Sequence, residues 1–219
     1  QFVVGYSVHQ RAGDFGCLIP HLERIKVWLG RLPEKIIADG GYGSEENYDF
    51  LESADVGTYV KYNTFHREQT RKYKKNPFLV DNLAYDKGKD QFICPAGKRL
   101  VYQKTMQRRT ENGYLTERRT YECEDCRGCA LKERCHRAVG NRRIHISWRL
   151  EEMKRRARDQ LHSEQGQKLR SRRGVEVESV FGRLKWNWRF RRFLLRGKEK
   201  VAIEWGLLCI AHNMAKMAV

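Results

Sequence analysis

Prolines are scarce in this chain: four in 219 residues. Together with a hydrophobic fraction of 40%, that scarcity speaks for a packed core and against a wholly disordered chain. Long apolar runs are lacking too. The best candidate, Val201 to Val219, is broken by Glu204, His212, Asn213 and Lys216, which excludes a membrane-spanning helix there. The N-terminus has no charged start, apolar run and small-residue cleavage site of the secretory kind, and it opens on Gln1 rather than Met, so further residues are expected upstream. No internal repeat or low-complexity tract is present. Acidic charge is the last deficit. Against 44 Lys and Arg stand only 27 Asp and Glu, a net charge of +17. Such an excess selects a polyanion as partner, most simply nucleic acid, with a membrane surface the weaker reading.

The length suits one sizeable domain, or one domain with a small insert. Phe2 to Val8 is β-rich and predicts a strand. Leu18, Leu22, Ile25 and Leu29 recur at helical spacing, predicting a helix over about 15–29 that Gly30 ends. Ile36-Ile37-Ala38 predicts a short strand ending at Asp39, where Gly40, Gly41 and Gly43 break the chain. Ser44 fits an N-cap, with Glu45 and Glu46 in the first turn where the helix dipole favours acids. The capping box is incomplete, because position 47 is Asn. Val56 to Tyr62 predicts another strand, so the opening third reads as an α/β layer. Residues 63–78 are polar and basic, and 79–147 read as a small β-rich, cysteine-bearing insert. Three helices are expected beyond it, over Trp148 to about Gln165, about Gly174 to Phe193, and Val201 to Val219. The last is apolar on most sides and is expected to be buried. Charge concentrates here: between Lys154 and Lys200 stand 16 basic and 5 acidic residues. Trp186, Trp188, Phe190 and Phe193 interleave with Arg189, Arg191 and Arg192, as core or as base-contacting residues.

Three constellations bear chemistry. Asp39 sits at the C-terminal end of an apolar strand, where open α/β sheets gather ligands; it suits a metal ligand or a simple turn cap. Glu178, Gly182 and Lys185 share a helical segment with an apolar row of Val177, Phe181, Leu184 and Trp188. Seven residues, about two turns, separate Glu178 from Lys185. The set reads either as a carboxylate ligand, a substrate clearance and a phosphate-binding Lys, or as helix packing beside an exposed charge pair. The third is Cys123, Cys126, Cys129 and Cys135, with Cys94-Pro95 far upstream. Thiols so spaced in a chain without a secretory signal suit tetrahedral zinc better than disulfides. Five thiols compete for four positions, and His136 is a further candidate. Cys17 and Cys209 lie in apolar segments and read as core.

Taken together, these features give the chain a resemblance to the DDE class of bacterial insertion-sequence transposases, in the group with a cysteine-bearing insert between the second Asp and the Glu. The matching stretches are Ala38 to Asn47, Cys94-Pro95, the cluster Cys126, Cys129 and Cys135, Val177-Glu178 with Phe181-Gly182 and Lys185, and Phe190-Arg191-Arg192-Phe193 with Arg196-Gly197. The resemblance implies an α/β fold: a partial ribonuclease-H-like core over 1–62, a zinc-ribbon-like insert with its basic linker over 63–147, and helices completing the core over 148–219. It makes Asp39 and Glu178 the second and third catalytic carboxylates, holding two Mg²⁺ ions. Lys185 becomes a DNA-phosphate contact and Arg173 approximates an upstream Arg, with Arg189, Arg191 and Arg192 adding to the DNA-binding face. The resemblance favours Cys94 over Cys123 as the fourth zinc ligand beside Cys126, Cys129 and Cys135. Expected partners are DNA and further copies of the chain, in the cytoplasm at the nucleoid. The chain departs from the pattern at Ser171, where relatives often have Tyr, and at Gly174, where their Arg falls. The first catalytic Asp finds no match; Asp14, the only early Asp, precedes a helix. The piece alone is therefore expected to be inactive. Competing readings are a non-catalytic zinc-stabilised nucleic-acid-binding module and a basic structural RNA-binding protein.

Overall fold

A computed structural model describes residues 2–218. The chain divides into two compact units, one made of 1–62 and 156–219, the other of 63–155. No helix among the described residues is long and apolar enough to cross a membrane.

The first unit holds helix α1 (Leu18–Leu29), strand β1 (Lys35–Ala38), helix α2 (Glu45–Ser53) and strand β2 (Gly57–Val60). Helix α1 buries Leu18, Leu22 and Ile25 and ends on Gly30 in the left-handed region, φ 73°. A Cβ is costly in that conformation, so the residue there is Gly. Leu29, the last of the row, is half exposed. β1 and β2 pair in parallel with Ala38 opposite Val60. Between them Ser44 caps α2, accepting the Asn47 N–H at 3.2 Å. The Asn47 amide donates to the carbonyls of Phe15 and Tyr42, both at 2.8 Å, so the residue that breaks the capping box ties the Asp39 loop to the start of α1.

Phe2 to Val8 forms no strand. Its backbone lacks a ladder partner because the Asn213 side chain takes that place: the Val3 N–H donates to Asn213 Oδ1 and Asn213 Nδ2 donates to the Val3 carbonyl, both at 2.8 Å. Nearby, the Ser7 hydroxyl bridges His21 Nδ1 at 2.9 Å and His9 Nε2 at 2.8 Å. Burial first, then surrounding positive charge, holds both imidazoles below their usual pKa. The unfolded chain therefore binds more protons than the folded one near and below pH 6.5, and stability is lost as pH falls through the folded values. Thermal melts at pH 7.5 and pH 5.5 are expected to differ, and the H9Q/H21Q variant is expected to narrow that difference.

The second unit is a five-stranded antiparallel meander in the order β3 (Ala84–Asp86), β4 (Gln91–Ile93), β5 (Arg99–Arg109), β6 (Leu115–Cys123) and β7 (Arg143–Ile146). Two single turns of helix flank it, α3 (Arg71–Lys74) and α4 (Lys132–Cys135). Its core is Leu83, Phe92, Leu100, Tyr121, Cys123, Cys126, Ile144 and Ile146.

Helix α5 (Trp148–His162) follows, and the division between the units falls inside it. Helix α6 runs from Glu164 to Gly182, capped by Ser163, whose side chain accepts the Gly166 N–H. It starts ten residues before the expected Gly174 and gives way to a π-helical turn, Arg183–Asn187, well short of Phe193. That wider turn breaks the 3.6-residue register. Of the row Val177, Phe181, Leu184 and Trp188, only Leu184 is buried, and Val180 supplies the other buried contact. Helix α7 (Lys198–Met217) corrects the expectation of a buried helix; the expected last residue, Val219, lies outside the described residues. One face buries Gly206, Cys209 and His212. Gly206 lies so close to the Tyr6 ring that any Cβ would collide with its hydroxyl. Ile203, Leu207, Ile210, Met214 and Met217 form an exposed stripe along the opposite side.

Candidate active site

Asp39 leaves β1 as the strand ends and enters a 3₁₀ turn over Gly40–Tyr42. Parallel pairing delivers Lys61 beside it: the Lys61 N–H donates to the Ala38 carbonyl, and its ammonium stands 3.5 Å from Asp39 Oδ1. From α6, the Arg173 guanidinium reaches Asp39 Oδ2 at 3.4 Å. Partial desolvation pushes the Asp39 carboxyl up. Arg173, Lys61 and the Gly40 N–H outweigh it and hold the group below the usual carboxylate range. The carboxylate is thus ionised at neutral pH while remaining 54% exposed. The turn can lie this close to β2 because position 43 is Gly; a Cβ there would run into the Lys61 carbonyl and Tyr62 Cα. Asp14 also belongs to the neighbourhood, since a Cβ on Gly41 would stand 3.0 Å from its Oδ2.

Glu178 lies on α6, five residues beyond Arg173. In an α-helix that is about 7.5 Å further along the axis and about 140° around it. The residue is exposed, and its carboxylate makes no ion pair or hydrogen bond among the described residues. The structure therefore brings Arg173 and Lys61 to Asp39, while Glu178 makes no ion pair or hydrogen bond with that cluster among the described residues. Both carboxylates offer hard oxygen donors of the kind Mg²⁺ requires. Lys61 and Arg173 already offset the Asp39 charge, so a divalent ion binding there must compete with both cations. Among the described residues no three His, Cys, Asp or Glu side chains form a ready metal site. Lys61 carries no signal in the sequence; only the register Ala38 to Val60 places it.

Past Glu178 the basic residues mix with rings. Lys185 stands 5.5 Å from the centre of the exposed Phe181 ring, and Arg191 5.5 Å from that of Trp186. Arg189 adopts a left-handed backbone, φ 57°, and Arg189, Arg191 and Arg192 are all exposed. The segment is anchored from behind. Phe181, Phe190 and Phe193 gather on Trp205, and the Glu204 carboxylate accepts the N–H groups of Leu194 and Leu195. Trp186, 72% exposed, stands clear of that packing.

In the second unit, Cys94, Cys123, Cys126, Cys129 and Cys135 line one small cavity together with His136. The cavity holds about 20 Å³, the volume of one water or one ion, but among the described residues the thiols and His136 that line it do not close into a metal site, so the expected zinc ligands share a cavity without forming a ready tetrahedron. Cys94 sits in a tight turn, its N–H bonded to the Lys98 carbonyl at 2.8 Å and its carbonyl to the Gly97 N–H at 2.9 Å. Cys135 closes α4. Among the described residues both nitrogens of His136 are buried without a partner. Cys123 is the deepest thiol; its Sγ donates toward the Asp125 carbonyl at 4.0 Å, and burial pushes its pKa up. Cys17 and Cys209 are buried elsewhere, in keeping with a core role.

An acid-bearing strand end, a helix that reaches it, an exposed basic and aromatic segment and a cysteine-bearing sheet occur here in one chain order. No curated protein and no solved structure matches the chain. Residues 93–218, more than half of its length and inclusive of the five cavity cysteines, α6 and α7, match the model of the transposase DDE domain. The chain therefore belongs to the transposase DDE domain family.

Proposed function

We propose that this chain carries the second and third catalytic carboxylates of a transposase that cuts and rejoins DNA at the ends of an insertion element. The observation that carries the reading is the Arg173–Asp39 contact, which ties the helix bearing Glu178 to the end of β1. In this reading residues 1–62 and 148–219 form a ribonuclease-H-like core and 63–147 a zinc-ribbon-like insert. Asp39 and Glu178 would hold Mg²⁺, which would supply an activated oxygen nucleophile and a stabilised leaving oxygen. The chain's own part is to keep Asp39 ionised through Lys61 and Arg173, and to bring phosphates in. Lys185, Arg189, Arg191 and Arg192, with Arg173, contact the DNA backbone, and Trp186 offers a face to a base. The working protein is an oligomer on DNA at the nucleoid. In the insert, Cys94, Cys126, Cys129 and Cys135 hold zinc, a soft ion suited to sulfur, and Cys123 remains a hydrogen-bonded thiol.

Glu178→Gln in the full-length transposase tests the catalytic assignment. Strand transfer is expected to fall below detection while DNA affinity stays within about twofold, because one exposed carboxylate contributes little to binding phosphate. The free position of Glu178 also favours a second reading, a non-catalytic zinc-stabilised nucleic-acid-binding module. Unchanged strand transfer in Glu178→Gln would support it.

A further inference from the structure

Arg142 is buried, 7% exposed, at the wall of the cysteine cavity. Buried guanidinium groups are normally paired with a carboxylate, since an uncompensated charge away from water is costly. Among the described residues Arg142 has no carboxylate partner. Its hydrogen bonds go elsewhere: Nη2 donates to the Phe78 carbonyl at 2.6 Å, Nη1 to Cys135 Sγ at 3.2 Å, and the backbone N–H to Cys126 Sγ at 3.4 Å. Two of its three donors thus point at sulfur, and the two sulfurs belong to two segments, the Cys126 turn and the end of α4. A neutral thiol is a weak acceptor and brings no charge. A thiolate brings both. Four thiolates around one divalent zinc leave a net charge of −2, and a fixed cation with N–H groups on two of the sulfurs is the complement such a centre needs.

We infer that Arg142 is the positioning residue of a tetrathiolate zinc centre, balancing its charge and orienting Cys126 and Cys135 through N–H···S bonds. This rests on the zinc reading above. The geometry gives it independent support, because the cation is buried at the thiols whatever ion they hold. Lys98 does not share the role: its ammonium donates to the Asp125 carbonyl at 2.6 Å.

The test uses the full chain, with zinc content by elemental analysis, zinc affinity by chelator competition, and Co²⁺ in place of zinc as a spectroscopic probe. The wild-type chain is expected to bind one zinc and to give a thiolate-to-cobalt charge-transfer band. Arg142→Met keeps the apolar stem and removes the charge and the guanidinium donor. It is expected to bind zinc about 10- to 100-fold more weakly, the usual effect of losing an outer-shell partner. Its charge-transfer band is expected to move to lower energy, because a thiolate without its hydrogen bond gives up electrons more readily. A purely structural role for Arg142 would leave the band in place. Arg142→Lys keeps the charge, is expected to recover part of the affinity, and carries the same test where Arg142→Met does not fold. Wild-type affinity and an unmoved band in the folded variant would overturn the role of Arg142 while leaving the zinc centre standing. A wild-type chain that binds neither metal would overturn the zinc reading, and this inference with it.

Discussion

Asp90→Ala is expected to destabilise the antiparallel unit by about 3 kcal/mol, the loss of several hydrogen bonds to one charged acceptor. Asp90 lies in the turn entering β4 and gathers three partners on one carboxylate. The Tyr85 hydroxyl donates at 2.7 Å, the Tyr121 hydroxyl at 2.8 Å, and the Arg119 guanidinium at 2.5 Å. Tyr121 on β6 is fully buried in the core of this unit, and its hydroxyl also accepts from the Trp148 indole N–H at 3.3 Å. Removal of the acceptor strands a buried phenol and frees the Arg119 guanidinium, which lies 4.4 Å from the centre of the Tyr102 ring. The backbone adds to the loss: Asp90 has φ 48°, a conformation Asp tolerates better than Ala. Desolvation pushes the Asp90 carboxyl up, yet the two hydroxyls and Arg119 hold it below its ordinary value of 3.8. Its contribution is therefore present above about pH 4 and is lost as pH falls through the folded value. Asp90→Asn keeps the shape and one acceptor oxygen and should lose about half as much. Hydrogen exchange at the amides of β6 reads the effect on this unit directly. A change under 1 kcal/mol in Asp90→Ala would refute the network's role.

The features legible in the sequence are those fixed within a few residues. Ser44 announces its helix because the cap bonds only three residues ahead, and Gly30 stops α1 because the left-handed turn is local. Asp39 is placed at a strand end by the apolar run before it and the glycines after it. What escapes is set by partners remote in sequence. Phe2 to Val8 has the composition of a strand, but the Asn213 amide bonds Val3 from α7 and no ladder forms. The row Val177, Phe181, Leu184 and Trp188 has helical spacing, yet the π turn at Arg183 rotates its last members away from the first. α7 looks buried because it is apolar, and apolarity alone does not say which side finds a neighbour. The same holds at the two sites. Cysteine spacing singles out thiols that share one cavity, whereas Arg142 is one Arg among many until the fold buries it at Cys135. Lys61 likewise meets Asp39 only through the pairing of β1 with β2.

Replacing Asp39 by Asn is expected to lower Mg²⁺-dependent DNA cleavage by about 10²- to 10³-fold, the scale on which losing one preorganised electrostatic contributor to the transition state lowers a rate. The amide keeps the shape of the carboxylate and one oxygen acceptor, so the β1 end and the capped α2 behind it should stay folded. What changes is charge. Lys61 and Arg173 now stand at 3.5 and 3.4 Å from a neutral group, and the cluster turns from one negative and two positive charges into two positive ones. A divalent cation is repelled from that point, whereas a DNA phosphate is drawn to it. Cleavage and binding should therefore part company. Cleavage is lost and higher Mg²⁺ does not restore it, while affinity for DNA at low salt stays level or rises. The salt dependence should steepen by up to about one phosphate's worth of counterion release. Arg173→Met separates the contributions by leaving Asp39 ionised beside Lys61. Metal dependence should survive in that variant, and DNA affinity should weaken evenly across sequences with a shallower salt slope. If Asp39→Asn cleaved at wild-type rates, the carboxylate would be a turn cap held in place by two cations, and the metal would have to be sought at other acids. If cleavage and DNA affinity fell together, Asp39 would be holding the loop rather than the ion. Only loss of cleavage with retained affinity assigns the metal to this strand end.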